Sequence, residues 1–186
     1  MQAFGSGAMT NSIREIRDAD CIFITGSNTA ESHPVISYEV VRAAKRGAHV
    51  IIVDPRHIPL VDHATLFLQI KPGTDIALLL AWTNVLINEG LYDRDYVERY
   101  TIGFEQLAAH VRDYTPEWVY LETGIRPDVI RKTAREMARA APATIVHPGR
   151  HAVWYGDDTQ RSRAIAIRGP AAGCTTPRST SSAITA

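Results

Sequence analysis

Short apolar segments alternate with amphipathic stretches along the first half of this chain. Residues 21–25 read Cys-Ile-Phe-Ile-Thr and residues 48–53 read Ala-His-Val-Ile-Ile-Val, with a helical pattern at 35–46 that Gly47 ends. Apolar runs of this length are typical of strands that are buried on both faces. A helix between two such strands predicts that they are parallel and joined by a right-handed crossover.

The alternation continues to about residue 167. Further strands are predicted at 66–70 and 143–146, the second followed by a turn at His147-Pro148-Gly149. A short capped helix is predicted at 13–18, and longer helices at 76–88, 93–100, 104–114, from Thr115-Pro116 onward, at 127–141 and from about 158 to 167. We therefore predict an α/β fold, a Rossmann-like open parallel sheet flanked by helices.

Composition excludes several classes of protein. Of 186 residues, 45% are apolar, and 20 basic side chains balance 20 acidic ones, which argues against a nucleic-acid binder or a protein of anionic membranes. Two distant cysteines, Cys21 and Cys174, exclude a disulfide scaffold, a cysteine-ligated zinc site and a self-sufficient iron–sulfur cluster. No apolar run reaches the roughly 18–20 residues of a membrane span, and residues 1–9 lack the pattern of a secretory signal.

Residues 168–186 differ from the rest of the chain. They are rich in Gly, Pro, Ser and Thr and show no hydrophobic period. We expect an α/β domain over 1–167 and a disordered tail over 168–186. A shifted reading frame in a GC-rich gene would produce such a composition.

In an open α/β sheet, ligands bind beyond the carboxyl ends of the strands. The first strand is followed by Gly26–Pro34, which offers small residues, hydroxyls and backbone N–H groups suited to phosphate. After the second strand, Asp54 is placed to hold a ribose hydroxyl, and Arg56 to pair with phosphate or stack on a base.

The third and fourth strands are also followed by polar groups. After the third comes Pro72-Gly73-Thr74-Asp75, where Asp75 could accept two N–H bonds from a guanine edge. After the fourth comes Gly149-Arg150-His151, a cation and an imidazole. Four polar loops in this order predict a nucleotide-like ligand.

Each feature also has a simpler interpretation. Ser27, Asn28 and Thr29 could cap the following helix, Asp54-Pro55 could be only a turn, and Thr74 or Asp75 is expected to cap a helix as well. The scattered histidines lack metal-site spacing, and Trp82, Trp118 and Trp154 are expected in the core or a pocket wall. A nicotinamide site is disfavoured because the first loop has Gly26 alone rather than Gly-x-Gly-x-x-Gly, and no Walker lysine motif occurs.

Taken together, the loops resemble the molybdopterin oxidoreductases, large catalytic subunits that bind a bis-molybdopterin guanine dinucleotide. The resemblance rests on residues 5–12, 26–34, 53–56, 72–75, 89–93, 101–105 and 149–167. The last of these, with Trp-Tyr-Gly-Asp-Asp-Thr-Gln at 154–160, is most similar to the polysulfide and thiosulfate reductase branch. The resemblance covers about residues 4 to 167.

The resemblance implies a molybdenum or tungsten cofactor and a set of residues that contact it. The first loop lies against pterin and phosphate, Asp54 and Arg56 hold the ribose and guanine side, and Gly73–Asp75 close over the guanine. The expected cofactor-binding residues are Gly26, Ser27, Asn28, Thr29, Glu31, His33, Asp54, Arg56, Gly73, Thr74, Asp75, Gly149, Asp158 and Thr159. Arg150 and His151 are the candidates to stand near an anionic sulfur substrate.

The resemblance also implies parts that this sequence lacks. Family members are several times longer and carry, upstream of the segment matched by Gly5, a cysteine motif for an iron–sulfur cluster and the protein ligand to molybdenum. Cys21 follows that segment, so no metal ligand is assigned. We therefore expect a fragment of a catalytic subunit, inactive alone, whose parent transfers two electrons at molybdenum.

The expected partners are the cofactor, the rest of the subunit and an iron–sulfur electron-transfer subunit, with no nucleic acid and no membrane span. The parent is expected in the periplasm or at the membrane of a prokaryote. The alternatives are a non-catalytic nucleotide-binding module, an inactive remnant, or an ordinary NAD-linked oxidoreductase.

Overall fold

The computed structural model describes residues 12–141 and 144–148, the last three by their backbone only. The strands in this part of the chain are β1 (Cys21–Thr25), β2 (His49–Val53), β3 (Leu66–Leu68) and β4 (Thr144–Pro148). The α-helices are α1 (Thr29–Ser32), α2 (Pro34–Arg46), α3 (Asp75–Asn88), α4 (Arg94–Tyr100), α5 (Phe104–Val111), α6 (Pro116–Thr123) and α7 (Pro127–Arg139). Two 3₁₀ helices, Ile13–Asp18 and Pro59–His63, complete the elements that the structure describes.

The four strands form one parallel sheet in the order β3-β2-β1-β4. The chain moves outward from β1 to β2 and β3, and then returns to place β4 on the other side of β1. This order is that of an open, doubly wound sheet. The predicted α/β class with a Rossmann-like parallel sheet is therefore confirmed.

Alternate residues of the strands face opposite layers of helices, because side chains in a strand alternate with a period of two. Phe23 and Val53 lie on the face covered by α3, α6 and α7, where the Trp82 ring meets the Phe23 ring edge-on at 5.3 Å. Ile24 and Ile52 lie on the other face, beneath α2 and the two 3₁₀ helices. Both faces of the strands are thus buried.

Several helix ends follow the predicted signals. Pro34 is the first residue of α2, and Gly47 ends that helix in the left-handed region at φ 101°, where a residue with a Cβ is disfavoured. Thr115 caps α6, its Oγ1 accepting from the Trp118 N–H at 3.3 Å, and Pro116 follows it. These caps fix where the helices begin and end.

Other boundaries differ from prediction. The first helix is 3₁₀ rather than α, and its start is held by a hydrogen bond from the Ser12 N–H to Glu15 Oε1 at 3.2 Å. β3 ends at Leu68, two residues early, and α5 and α7 stop at Val111 and Arg139. The predicted turn at His147-Pro148 is wrong, because β4 pairs with β1 through Pro148.

The tryptophans differ in how far they are buried. Trp82 is fully buried, as predicted, whereas Trp118 is 43% exposed, and its ring meets the Tyr114 ring edge-on. The core interpretation of Trp118 is therefore wrong. Trp154, the helix predicted at 158–167 and the tail at 168–186 lie outside the described residues. Among the helices that are described, none is long and apolar enough to cross a membrane.

Candidate functional site

The carboxyl ends of the four strands lie level with one another, at one end of the strands. Thr25 is in register with both Val53 of β2 and Pro148 of β4, and Val53 is in register with Leu68 of β3. The strand order reverses between β1 and β4, which is where open α/β sheets bind ligands. The loops predicted to hold the cofactor therefore leave the sheet at one edge.

The loop after β1 is compact. Gly26 turns the chain at φ 58°, and its N–H donates to the Val53 carbonyl at 3.1 Å. A Cβ at Gly26 would meet no atom within 4 Å, so the backbone conformation and not crowding requires glycine. Ser27 and Thr29 are buried, and their hydroxyls pair at 3.0 Å. This pair holds the first residues of the loop in one arrangement.

Asn28 occupies the cap position of α1 without capping it. Its backbone carbonyl accepts from the N–H groups of Glu31 and Ser32, but its side chain makes no cap bond. Its Oδ1 is buried and has no hydrogen-bond partner among residues 12–141 and 144–148. A buried acceptor without a partner is costly, so this atom is suited to receive a donor from a ligand.

The other predicted residues of this loop are at the surface. Glu31 lies in the first turn of α1 and is exposed. His33 is exposed at the start of α2, and its carbonyl accepts from the Ser37 N–H. Both residues are exposed, in contrast to Ser27 and Thr29, which are buried.

After β2, Asp54 closes a turn, and its predicted contact with ribose stays a prediction. The side chain of Asp54 is 6% exposed, and its Oδ1 accepts from the Arg56 N–H at 2.8 Å, which closes a turn. The Arg56 guanidinium is 73% exposed and lies 4.0 Å from the same oxygen. Gln69, which the sequence did not single out, donates to the Pro55 carbonyl at 2.9 Å. This bond attaches the turn to the end of β3.

After β3 the chain turns at Gly73, which has φ 82°. Thr74 takes the cap position of α3, but its hydroxyl donates back to the Lys71 carbonyl at 2.7 Å and makes no cap bond. Thr74 is thus the N-cap residue of α3, one of the two predicted alternatives, although its hydroxyl does not bond to the helix start. Asp75 is the first residue of α3 and is partly buried. Lys71 Nζ donates to the Leu121 carbonyl at 3.1 Å, so α6 holds this turn as well.

The remaining predicted residues, Gly149, Arg150, His151, Asp158 and Thr159, lie outside the described residues and stay predictions. Cys21 lies at the amino end of β1, fully buried and on the opposite edge from the loops. Within the described ranges, no group of three or more His, Cys, Asp or Glu side chains is placed to hold a metal ion.

A second concave region lies far from these loops. A cleft of about 230 Å³ beside the C-terminal half of α3 is lined by residues that include Glu89, Glu117 and Arg131. Its charged groups are already paired: Arg131 donates to Glu117 at 2.7 Å, and Arg135 donates twice to Glu89. These arginine hydrogen bonds lower the pKa of both carboxyls below the ordinary value of 4.5. These carboxylates and guanidinium groups therefore already have partners of opposite charge.

Comparison with known proteins identifies relatives over nearly the whole chain. The family model described as molybdopterin oxidoreductase matches residues 2–172. Over 146 residues, the chain is 47% identical to the F420-dependent formate dehydrogenase 1 subunit alpha of Methanococcus maripaludis, covering 78% of this chain and 22% of that protein. It is 40% identical to the thiosulfate reductase molybdopterin-containing subunit of Salmonella typhimurium, covering 75% and 18%.

A solved structure agrees with these matches. Acetylene hydratase from Pelobacter acetylenicus superposes with a TM-score of 0.79 and 27% identity, covering 89% of this chain and 25% of that one. The chain thus spans about a fifth of the length of the curated relatives that it matches.

Proposed function

This chain belongs to the molybdopterin oxidoreductase family, and from that premise we propose that it holds the nucleotide end of a molybdopterin guanine dinucleotide. Membership implies a molybdopterin cofactor that carries molybdenum or tungsten. The proposed binding domain is residues 1–167, part of a larger catalytic subunit. When bound, the cofactor supplies two-electron chemistry at the metal, and the protein supplies binding and orientation.

One observation carries the proposal most directly. Asn28 Oδ1 is buried without a partner in the described structure, in the loop that follows the central strand β1. The loop stands at the point where the strand order reverses, and it is braced by the Ser27–Thr29 hydroxyl pair. A polar ligand with a donor group at this position would satisfy the asparagine. The residues present therefore fit such a group.

The loops after β2 and β3 are assigned the other contacts with the nucleotide. The exposed Arg56 guanidinium is available to phosphate or a base, while Asp54 holds the turn that presents it. Gly73 and Thr74 form the tight turn that brings Asp75 to the first position of α3. A carboxylate there accepts the two N–H groups of a guanine edge and not the edge of adenine, which offers one donor beside an acceptor.

The substrate and the partners belong to the proposal. The names of the three relatives refer to formate, thiosulfate and acetylene. We place this chain with the enzymes of small sulfur anions, polysulfide or thiosulfate, with Arg150 and His151 near the anion. An iron–sulfur cluster in the intact subunit and an iron–sulfur partner subunit would carry the electrons, at the prokaryotic membrane or in the periplasm.

The experiment that tests the proposal compares Asp75→Asn with Asp128→Asn. Both are carboxylates in the first turn of a long helix, so the pair controls for the helix dipole. We expect the unchanged chain to prefer GDP over ADP in calorimetry. Asp75→Asn should lower the affinity for GDP alone by about 10- to 150-fold, since a hydrogen bond to a charged group contributes about 1.5–3 kcal/mol.

Asp128→Asn should leave both affinities unchanged. Equal binding of GDP and ADP by the unchanged chain would contradict the guanine assignment, and NAD bound more tightly than GDP would favour an NAD-linked site.

A further inference from the structure

The segment that enters β1 is attached to α2 by polar contacts at two levels. Arg17 Nη2 donates to Glu39 Oε1 at 2.9 Å, in the second turn of the helix. At its last turn, Arg46 donates to the carbonyls of Arg17 at 3.1 Å and Ala19 at 2.6 Å. The helix is therefore fixed along its length to the residues immediately before the central strand.

Glu39 is an unusual member of this contact, because its side chain is only 8% exposed. Arg42 lies 3.9 Å from the same Oε1. Glu39 Oε2 and Arg17 Nε are buried and have no hydrogen-bond partner in the part of the chain that is described. The ion pair is half-buried, since the Arg17 side chain is 38% exposed, and with unmet hydrogen bonds it adds little stability compared with apolar side chains of similar size. Stability alone therefore does not account for Glu39.

Its position suggests another role. The loop of residues 26–33 joins the end of β1 to the start of α2, so its two ends are set by these elements. The apolar contact between α2 and the 3₁₀ helix uses Ile16, Val40 and Ala43, and apolar contact is not directional. Arg46 fixes the last turn of α2 to this segment, whereas the Arg17–Glu39 ion pair is the directed contact in the second turn, on the side of the loop. We expect this ion pair to limit how far the N-terminal half of α2 slides or rotates against the segment before β1.

We propose that Glu39, acting through Arg17, is a positioning residue for the loop of residues 26–33, an inference that rests on the proposed function of that loop. The pair holds α2 in the register that keeps Ser27, Asn28 and Thr29 in their observed arrangement. Neither Glu39 nor Arg17 contacts the cofactor in this proposal.

The test replaces the pair by apolar side chains, Arg17→Met with Glu39→Leu, in the full chain. Because this removes a half-buried ion pair with unmet hydrogen bonds, the melting temperature should stay within about 3 °C or rise. Hydrogen exchange without nucleotide should increase at least about fivefold at the amides of Glu31, Ser32 and His33, while β2 and α7 keep their protection. The reversed pair, Arg17→Glu with Glu39→Arg, should restore loop protection.

The control is Asp18→Asn, which removes an exposed carboxylate from the same segment and should change neither quantity. Unchanged loop exchange in the apolar variant would overturn the proposal. A uniform increase in hydrogen exchange through β1, β2 and α2, together with a lower melting temperature, would also overturn it, because that result indicates a purely structural role. GDP binding by the unchanged chain is measured separately. Absence of GDP binding would contradict the proposed function, whereas unchanged loop exchange would contradict only the positioning role of Glu39.

Discussion

At the scale of single residues, the loop after β1 differs from an ordinary helix start. Asn28 holds the cap position of α1, yet its side chain does not cap, and its buried Oδ1 has no partner within the described ranges. Such an atom lowers the stability of the chain without ligand, and a ligand donor compensates for it. An unpartnered buried polar atom of this kind is consistent with a binding site whose ligand supplies the missing hydrogen bond.

Replacing Asn28 should therefore separate stability from binding. In Asn28→Ala, the free energy of unfolding without ligand should stay the same or rise by up to about 1 kcal/mol, because an unsatisfied buried acceptor is removed. The affinities for GDP and ADP should fall equally, because a donor for Asn28 Oδ1 must come from a group that both nucleotides share, such as a ribose hydroxyl, since phosphate is an acceptor. Urea unfolding and calorimetry measure the two effects.

The matched variant is Ser32→Ala in the same loop, whose exposed hydroxyl donates to the Asn28 carbonyl at 2.9 Å. It should weaken the fold slightly and leave both affinities unchanged. A less stable Asn28→Ala with full nucleotide affinity would mean that Asn28 has only a structural role.

Some of these residues could be predicted from the sequence, and others could not. The strand-end rule locates Gly26–Thr29, Asp54 and Asp75, since it needs only the ends of apolar runs. Glu39 has no such signal, because its partner Arg17 lies 22 residues earlier and only the packing of α2 brings them together. The same rule locates Asp54, but the sequence leaves open whether this residue closes a turn or holds a ribose hydroxyl. Only the structure shows that its Oδ1 accepts from the Arg56 N–H.

At the scale of elements, hydrophobic period predicts the strong strands and helices well. β1 has the predicted bounds, and α2 and α3 differ by one residue at their starts. The period does not predict that residues 13–18 form a 3₁₀ helix or that β4 continues through Pro148, since both depend on pairing and packing with β1 and α2. Prolines are tolerated at the ends of edge strands, and β4 is an edge of the described sheet.

The link between α3 and α7 makes a prediction about pH. Arg135 donates to both carboxylate oxygens of Glu89, at 2.7 and 2.8 Å, and these bonds lower the pKa of Glu89 below 4.5. A carboxyl with a lowered folded-state pKa stabilises the fold above its unfolded value, and this contribution is lost as the pH falls through the folded pKa.

Glu89→Gln should therefore lower the free energy of unfolding by up to about 1 kcal/mol at pH 7, a small amount because Glu89 and Arg135 are 29% and 48% exposed. The difference from the unchanged chain should shrink below pH 4.5, as measured by urea unfolding at several pH values. Glu98→Gln, at an exposed position of α4, is the control. A difference that is constant with pH would exclude this ion pair as its source.

At the scale of the whole molecule, the sheet is covered on both faces and its loops converge at one edge. Helices α3, α6 and α7 cover one face, and α2 with the 3₁₀ helices covers the other. This arrangement superposes on acetylene hydratase with a TM-score of 0.79, although the chain spans about a fifth of the length of its curated relatives. Catalysis by the intact subunit therefore remains a proposal, whereas nucleotide binding can be tested on this chain.

The most direct test measures what the purified chain carries from a host that makes the molybdenum cofactor. Molybdenum and tungsten are determined by elemental analysis, and guanine nucleotide is released by acid and quantified in the same sample. The account predicts guanine nucleotide in near-stoichiometric amount, reduced in Asp75→Asn and unchanged in Asp128→Asn. A folded chain without guanine nucleotide, with or without metal, would contradict the claim that these strand-end loops hold the cofactor.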